Sequence, residues 1–187
     1  MARWEPGARE RLVVAALDAF SEEGFEQATV AGIAARAGVT ERTFFRHFAD
    51  KREVLFVGSE ALQAGIVDAI GAAPTTLTPV EVIAYAYDTV GPLFAERHEF
   101  AGRRTAVIAA NQSLQERELL KLATLKAASA DALRARGVSE RDATLAAETG
   151  ATIFHVGFQR WIDAPAGDLA QHIREALRDL RDLLAGA

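Results

Sequence analysis

The chain has 187 residues, of which half are apolar and one quarter are charged, and its formal net charge is -5 at pH 7. This composition is typical of a folded globular protein and excludes disordered and collagen-like chains. Because the sequence contains no cysteine, a disulfide scaffold, a thiolate zinc site, an iron–sulfur cluster and a cysteine nucleophile are excluded as well.

Neither a membrane-spanning segment nor a secretory signal is expected from the sequence. No stretch approaches 18 consecutive uncharged apolar residues, and the N-terminal segment Met1–Arg11 lacks the apolar core of a signal peptide. Together with the missing cysteines, these features indicate a cytoplasmic protein without a membrane partner.

Apolar residues recur at helical spacing through most of the chain, and Gly, Pro, Thr, Ser and Asp residues separate the runs. The pattern predicts an all-α fold of about nine helices. The predicted helices are Arg9–Glu23, Val30–Ala37, Glu41–Phe48, Lys51–Ile70, Pro79–Phe94, Glu99–Ala110, Leu114–Arg136, one that Ser139 and Asp142 open and that reaches Ile162, and a last one capped by Asp168. Residues 71–79, with two prolines and three threonines, are predicted to be a linker, and we expect two domains at residues 1–50 and 51–187.

Two of the short predicted helices, joined by the turn Ala37–Val39, have the spacing of a helix-turn-helix, in which the second helix lies in the major groove of DNA. The turn needs a residue such as Gly38, which tolerates positive φ, and Thr40 can cap the second helix. From Arg36 to Arg52 five basic residues stand against two acidic ones, so this segment carries +3 while the rest of the chain carries -8. A local positive patch on a repelling background favours binding to DNA phosphates.

The segment Thr29–Phe56, TVAGIAARAGVTERTFFRHFADKREVLF, resembles the DNA-binding signature of the TetR family of bacterial transcriptional regulators. The resemblance is carried by a second helix of small residues, an Ala-Gly-Val-Thr turn, an aromatic-rich recognition helix, and Phe48 followed three residues later by Lys51. With the first helix it covers about Arg9–Phe56. It implies an N-terminal DNA-binding module joined to a divergent helical domain that binds a small molecule and dimerises through its last two helices.

At individual positions the resemblance implies contacts with double-stranded DNA. It implies that Thr29, Thr40 and Lys51 contact phosphates, that Arg42 and Thr43 contact base edges, and that His47 contacts the DNA backbone. We also predict that Arg46, which adds positive charge to the same segment, contacts DNA. Phe45 departs from the family, which more often has a tyrosine there that donates its hydroxyl to a phosphate. The phenyl ring of Phe45 can instead pack against a sugar or a thymine methyl group.

The helices after the predicted linker carry mainly apolar residues with a few polar ones, which is the usual make-up of a small-molecule pocket. The alternative is a filled core with the polar groups at its surface. The residues that we predict to bind an effector are Tyr87, Phe94, Arg104, Val107, Ile108, Asn111, Leu122 and His155. We expect an uncharged or weakly acidic, largely apolar compound.

The last two predicted helices carry apolar seams that suit packing against other helices. Periodicity does not distinguish packing within one chain from packing between two chains, whereas the family resemblance implies a homodimer. The predicted interface residues are Phe154, Phe158, Trp161, Ile173, Leu177, Leu180 and Leu184.

These observations predict a sequence-specific DNA-binding regulator, a ligand-released repressor that acts as a homodimer on a palindromic operator. A second hypothesis is a helical small-molecule-binding protein with a degenerate DNA-binding module, which Phe45 would tolerate. A third is an enzyme, but the sequence lacks GxGxxG, GK[ST] and GxSxG motifs and offers no arranged nucleophile or base. None of the four histidines has an i, i+4 histidine partner, so we expect no catalytic residues, no metal and no cofactor.

Overall fold

The structure, a computed structural model, describes residues 7–164 and 167–186. Within these ranges it contains nine α-helices, two 3₁₀ helices and no β-strand, which confirms the all-α prediction. Residues 1–6, which contribute to the expectation of a missing signal peptide, lie outside the described residues, as do residues 165–166 and 187.

The helices form two compact units. Unit 1 consists of Met1–Gly58 and Phe100–Leu119, and unit 2 consists of Ser59–Glu99 and Leu120–Ala187. The α-helices are α1 (Ala8–Glu23), α2 (Val30–Arg36), α3 (Glu41–His47), α4 (Ser59–Ala72), α5 (Pro79–Val90), α6 (His98–Ala109), α7 (Gln112–Ala135), α8 (Glu140–Asp163) and α9 (Leu169–Ala185), and the 3₁₀ helices cover Glu53–Phe56 and Gly91–Phe94.

Unit 1 is built around α1, which packs against α2, α3 and the first 3₁₀ helix. Leu12, Ala16 and Phe20 recur every four residues on one face of α1 and are buried, as the helical repeat requires. The other main contributors to this core are Phe44, Phe48, Val54, Leu55, Phe56, Val107, Ile108 and Leu114. The structure therefore differs from the domain boundary predicted at residue 50, because the first 3₁₀ helix and a much later segment complete the N-terminal core.

The predicted fourth helix, Lys51–Ile70, is interrupted in the structure. Asp50 Oδ1 accepts hydrogen bonds from the N–H groups of Arg52 (2.8 Å) and Glu53 (3.2 Å). Asp50 therefore caps the short 3₁₀ helix and not a long fourth helix. The hydrogen bond from the Arg52 guanidinium holds the pKa of the Asp50 carboxyl below its usual range. Gly58 then adopts φ +88°, a left-handed conformation that glycine tolerates, before α4 begins.

The stretch Glu53–Ala72 has the length and the mean hydropathy, 1.4, of a membrane-spanning helix, and 33% of its apolar window is buried. In the structure this stretch contains two helices of 4 and 14 residues, separated around Gly58. A helix that crosses a bilayer needs about 20 residues in one continuous hydrogen-bonded run. The interruption therefore counts against a membrane span.

In unit 2, α5 packs against α4, α8 and α9, and α8 packs along α9. A capping box begins α5, in which the Glu81 carboxylate accepts a hydrogen bond from the N–H of Thr78 (2.9 Å). This bond lowers the pKa of Glu81. α5 ends at Val90 rather than at the predicted Phe94, because Pro92 lacks the N–H that would continue the helix.

The predicted linker is a loop within unit 2 and not a domain boundary, since both α4 and α5 belong to that unit. Arg136 contacts the start of this loop and the end of α4. The guanidinium group donates hydrogen bonds to the carbonyl oxygens of Ile70 (2.8 Å), Gly71 (3.0 Å) and Pro74 (3.3 Å). These bonds give partners to carbonyl groups that the end of a helix leaves unpaired.

α8 and α9 approach each other closely at Gly157. A Cβ atom at this position would lie 2.9 Å from both the Cα and the N atom of Ile173. Because these are backbone atoms, a larger residue at Gly157 cannot be accommodated by a side-chain rotation of Ile173. Gly71, in the last turn of α4, provides a contrast, since a Cβ atom there would meet nothing within 4 Å.

We expect Gly157→Ala to destabilise the protein by about 1–3 kcal/mol, because the added methyl group forces α8 away from α9. Gly71→Ala is the matched control, and it should stabilise the protein by about 0.5–1 kcal/mol because alanine is the better helix former. Urea unfolding followed by circular dichroism measures both effects. Equal stability of Gly157→Ala and wild type would contradict the close packing of α8 against α9.

Candidate functional site

The predicted helix-turn-helix is present in unit 1 as α2, a tight turn and α3. Each helix begins at a threonine cap: Thr29 Oγ1 accepts a hydrogen bond from the N–H of Gly32 (3.0 Å), and Thr40 Oγ1 accepts one from the N–H of Thr43 (3.2 Å). In the turn, Gly38 has φ +67°, as the sequence predicts. The local signals of caps and turn therefore position both helices.

The two sides of α3 differ in their burial. Phe44 is completely buried and packs against Phe48, with ring centroids 5.2 Å apart. The opposite side exposes Arg42, Phe45 and Arg46, and the Phe45 ring is 54% exposed. We call these three residues the outer face of α3. Of the remaining predicted DNA contacts, Thr29 and Thr40 are exposed, and Thr43 and His47 are half-buried.

The positive charge is concentrated on a smaller area than the sequence suggests. Arg36 forms ion pairs with Glu22 (2.6 Å) and Glu23 (2.5 Å), and the hydrogen bond to Glu22 raises the pKa of Arg36. Arg52 likewise pairs with Asp50, at 2.7 Å. In the part of the chain that the structure describes, the guanidinium groups of Arg42 and Arg46 have neither a hydrogen bond nor an ion pair. Among the four arginines of residues 36–52, the two without a partner in the described residues are therefore both on the outer face of α3.

Lys51 has partners inside the protein. Its Nζ donates hydrogen bonds to the carbonyl oxygens of Phe25 (2.5 Å) and Ala28 (2.9 Å) and lies 4.3 Å from the centre of the Phe25 ring. The phosphate contact that the resemblance assigns to Lys51 therefore competes with contacts to the loop between α1 and α2.

A group of ionic contacts that the sequence analysis missed attaches α6 and the start of α7 to the rest of unit 1. Arg103 pairs with Asp18 (2.7 Å), and Arg117 donates a hydrogen bond to Glu53 (2.6 Å). Arg104, predicted to bind an effector, instead donates a hydrogen bond to the carbonyl oxygen of Leu55 (2.7 Å), pairs with Glu118 (2.9 Å) and lies 5.1 Å from the ring of Phe56. We call these contacts of Arg103, Arg104 and Arg117 the ionic clasp.

The eight predicted effector residues are divided between the two units. Unit 1 contains Arg104, Val107, Ile108 and Asn111, and unit 2 contains Tyr87, Phe94, Leu122 and His155. Val107 and Ile108 are buried in the core of unit 1, and His155 is exposed. No single pocket inside either unit is therefore lined by all eight residues.

One pocket of 240 Å³ lies in unit 1, between the loop after α1 and the end of α6. Its lining residues are Phe20, Gly24, Phe25, Glu26, Gln27, Val107, Ala110 and Asn111, which include two of the predicted effector residues. Asn111 also donates a hydrogen bond to Glu26 across this site (3.0 Å). The volume is below the range of about 300–1,000 Å³ that is usual for small-molecule sites.

In unit 2 the structure brings together aromatic residues that the sequence analysis divided between an effector pocket and a dimer interface. Tyr87 stacks on Phe154 with ring centroids 4.7 Å apart, Phe154 stacks on Phe158 at 5.7 Å, and the Phe94 ring lies 6.2 Å from both Phe158 and Trp161. We call these five residues the aromatic cluster. Burial raises the pKa of the Tyr87 phenol to about 12, so this group stays protonated at neutral pH.

Two of the predicted dimer contacts belong to the interior of unit 2. Trp161 is only 3% exposed and Ile173 is 0% exposed, because Trp161 packs in the aromatic cluster and Ile173 lies against Gly157. Phe154, Phe158, Leu177 and Leu180 are half-buried. Leu184 is 79% exposed, as is its neighbour Leu183, which the predicted seam did not include.

The described residues contain no group of three or more histidine and acidic side chains that could hold a metal ion. His47 Nε2 and both ring nitrogens of His172 are buried without a hydrogen-bond partner among those residues.

Comparisons with known proteins agree with this architecture. Residues 12–56 match the family described as "Bacterial regulatory proteins, tetR family". The HTH-type transcriptional regulator TcmR of Streptomyces glaucescens is 35% identical over 82 residues, which make up 44% of this chain and 36% of TcmR. The match thus spans about a third of the length of this relative.

Solved structures extend the similarity to most of the chain. FadR of Thermus thermophilus, a TetR family transcriptional repressor in complex with lauroyl-CoA, is 26% identical with a TM-score of 0.56 over 93% of each chain. A structure from Pseudomonas aeruginosa PAO1, 18% identical, shows the same fold with a TM-score of 0.65 over 96% of this chain and 91% of the other. The N-terminal module of this chain is therefore similar to that of the TetR family of bacterial regulatory proteins, and most of the chain is similar in fold to FadR.

Proposed function

We propose that the protein binds operator DNA as a homodimer through the outer face of α3, and that it is a repressor released by a largely apolar effector. The proposed DNA binding rests on one observation, the exposure of the outer face of α3. It presents two unpaired arginines and an aromatic ring on a helix whose other side is fixed in the core. The major groove, about 12 Å wide, admits one α-helix, so α3 can offer this face to the base edges.

Each predicted contact except Lys51 has a chemical role in this arrangement. Arg42 can donate two parallel hydrogen bonds to a guanine, and Phe45 can pack against a thymine methyl group. Arg46 supplies charge for a phosphate, and Thr43 and His47 offer polar atoms beside it. Thr29 and Thr40 accept the hydrogen bonds of their helix caps, and a threonine hydroxyl still has its own O–H to donate to a phosphate.

Arg42→Ala should weaken binding at the preferred site by about 1–3 kcal/mol and relax the sequence preference at one base pair in each half-site. Gel shifts on DNA upstream of the protein's own gene, followed by fluorescence anisotropy, measure this. Arg141→Ala is the matched control, because Arg141 is an exposed arginine on α8. Equal binding by wild type and Arg42→Ala would exclude Arg42 as a base contact, and no binding by wild type would favour the small-molecule-binding alternative.

The proposed homodimer uses α8 and α9. Leu177, Leu180 and Leu184 recur on one stripe of α9 and become more exposed toward its end. Exposed apolar side chains at such spacing favour cover by another helix. A two-fold axis would pair this stripe with its own copy and would also supply the second α3 that a palindromic operator requires.

Leu184→Glu should dissociate the dimer while each protomer stays folded. The side chain is 79% exposed, so the charge disturbs little within one chain, but the two-fold axis introduces it twice into the interface. Leu93→Glu is the matched control, because Leu93 is an exposed leucine, 58%, in the second 3₁₀ helix of the same unit. Sedimentation at micromolar concentration measures both variants. A wild-type protein that sediments as a folded monomer and binds its operator with full affinity would contradict the proposal.

The proposed effector site is the aromatic cluster. Phe94, Phe154 and Phe158 are half-buried and provide apolar surface, while the protonated phenol of Tyr87 provides a polar group nearby. The similarity to FadR, whose structure contains lauroyl-CoA, supports an acyl compound as the first probe. Such a ligand releases the operator only if it prefers the form of the protein that does not bind DNA.

Trp161 reports on this site, since the sequence has only one other tryptophan, Trp4. In Trp4→Phe, lauroyl-CoA or lauric acid should change Trp161 emission saturably and should release labelled operator over the same concentration range. Phe158→Ala should weaken both responses, because it removes a ring whose centroid is 5.6 Å from that of Trp161. Responses confined to hydrophilic cations or sugars in a wider screen would contradict an apolar effector.

Operator DNA lies in the bacterial cytoplasm, which supports the cytoplasmic location expected from the sequence.

A further inference from the structure

Lys51 contacts the loop between α1 and α2 through three groups. Its Nζ donates hydrogen bonds to the carbonyl oxygens of Phe25 (2.5 Å) and Ala28 (2.9 Å), and the Phe25 ring centre lies 4.3 Å away. An ammonium group has three N–H donors, and the loop accepts hydrogen bonds from two of them. The aromatic ring stabilises the charge further.

The loop that Lys51 holds leads directly into α2. Gly24 turns the chain out of α1 with φ +85°, and the N–H of Ala28 donates a hydrogen bond to the Gly24 carbonyl oxygen (3.2 Å). The next residue, Thr29, is the cap of α2. Because Ala28 is bonded to Lys51, the ammonium group restrains the residue that immediately precedes this cap.

We propose that Lys51 is a positioning residue, which fixes the loop so that Thr29 and α2 are correctly placed for DNA, and that it does not itself neutralise a phosphate. This inference rests on the proposed DNA binding. Hydrogen bonds from a charged donor are stronger than neutral ones. The two carbonyl oxygens restrain the nitrogen at the loop and leave it a single N–H donor.

The salt dependence of DNA affinity separates positioning from phosphate binding. Each cation that neutralises a phosphate contributes about 0.9 to the slope of log affinity against log salt. Lys51→Met keeps a long apolar side chain beside Phe25 but removes the N–H donors. We expect it to weaken operator binding about tenfold, as the loss of one or two hydrogen bonds would, and to leave the slope unchanged.

Arg46→Met is the matched control, since it removes one unpaired cation from the outer face of α3 and should lower the slope by about 0.9 per subunit. A slope that falls by this amount in Lys51→Met would overturn the inference. Unchanged affinity in Lys51→Met would overturn it as well, because the loop would then not need the ammonium group.

Hydrogen exchange in the free protein tests the same contact without DNA. In Lys51→Met the amides of residues 25–32 should exchange faster than in wild type, and unchanged rates would overturn the inference. If wild type binds no operator, the proposed function fails, whereas these rates still decide whether Lys51 holds the loop.

Lys51→Arg is a second variant, which tests the inference if Lys51→Met does not fold. Arginine binds phosphate at least as well as lysine but places its donors in a planar fork. Weaker operator binding with an unchanged slope would support positioning, and unchanged or tighter binding would overturn it.

Discussion

The burial of Phe44 is the contact on which the outer face of α3 depends. α3 has only seven residues, too few for a helix to persist in water by itself, so its stability comes from packing. Phe44 is completely buried in the core of unit 1, and the Thr40 cap fixes the first turn. Once one side of α3 is held in this way, the helical repeat directs Arg42, Phe45 and Arg46 to solvent.

The helix-turn-helix could be predicted from the sequence because its determinants are local. The caps at Thr29 and Thr40 and the positive φ of Gly38 each act within a few residues. The ionic clasp could not be predicted, because Arg104 bonds to a carbonyl oxygen 49 residues away and Arg117 to a carboxylate 64 residues away. No spacing in the sequence indicates such distant pairs. The sequence therefore did not predict that Phe100–Leu119 belongs to the N-terminal unit.

The C-terminal predictions show a second limit of periodicity, which identifies an apolar face but not what covers it. Phe94 and Phe158 were predicted for different sites, yet both belong to the aromatic cluster. Ile173 fits the seam of α9 as well as Leu184 does, but α8 covers it at Gly157. Periodicity alone therefore does not distinguish a covered residue such as Ile173 from an exposed one such as Leu184.

In the proposed function, the outer face of α3 reads DNA, and two copies of the protein do so together. Selection of binding sites from a random DNA library with the purified protein tests both parts. We predict enrichment of an inverted repeat whose half-site centres are about 10 base pairs, or roughly 34–36 Å, apart. Absence of any enriched sequence would contradict reading by α3, and enrichment of a single unrepeated half-site would contradict the two-fold arrangement.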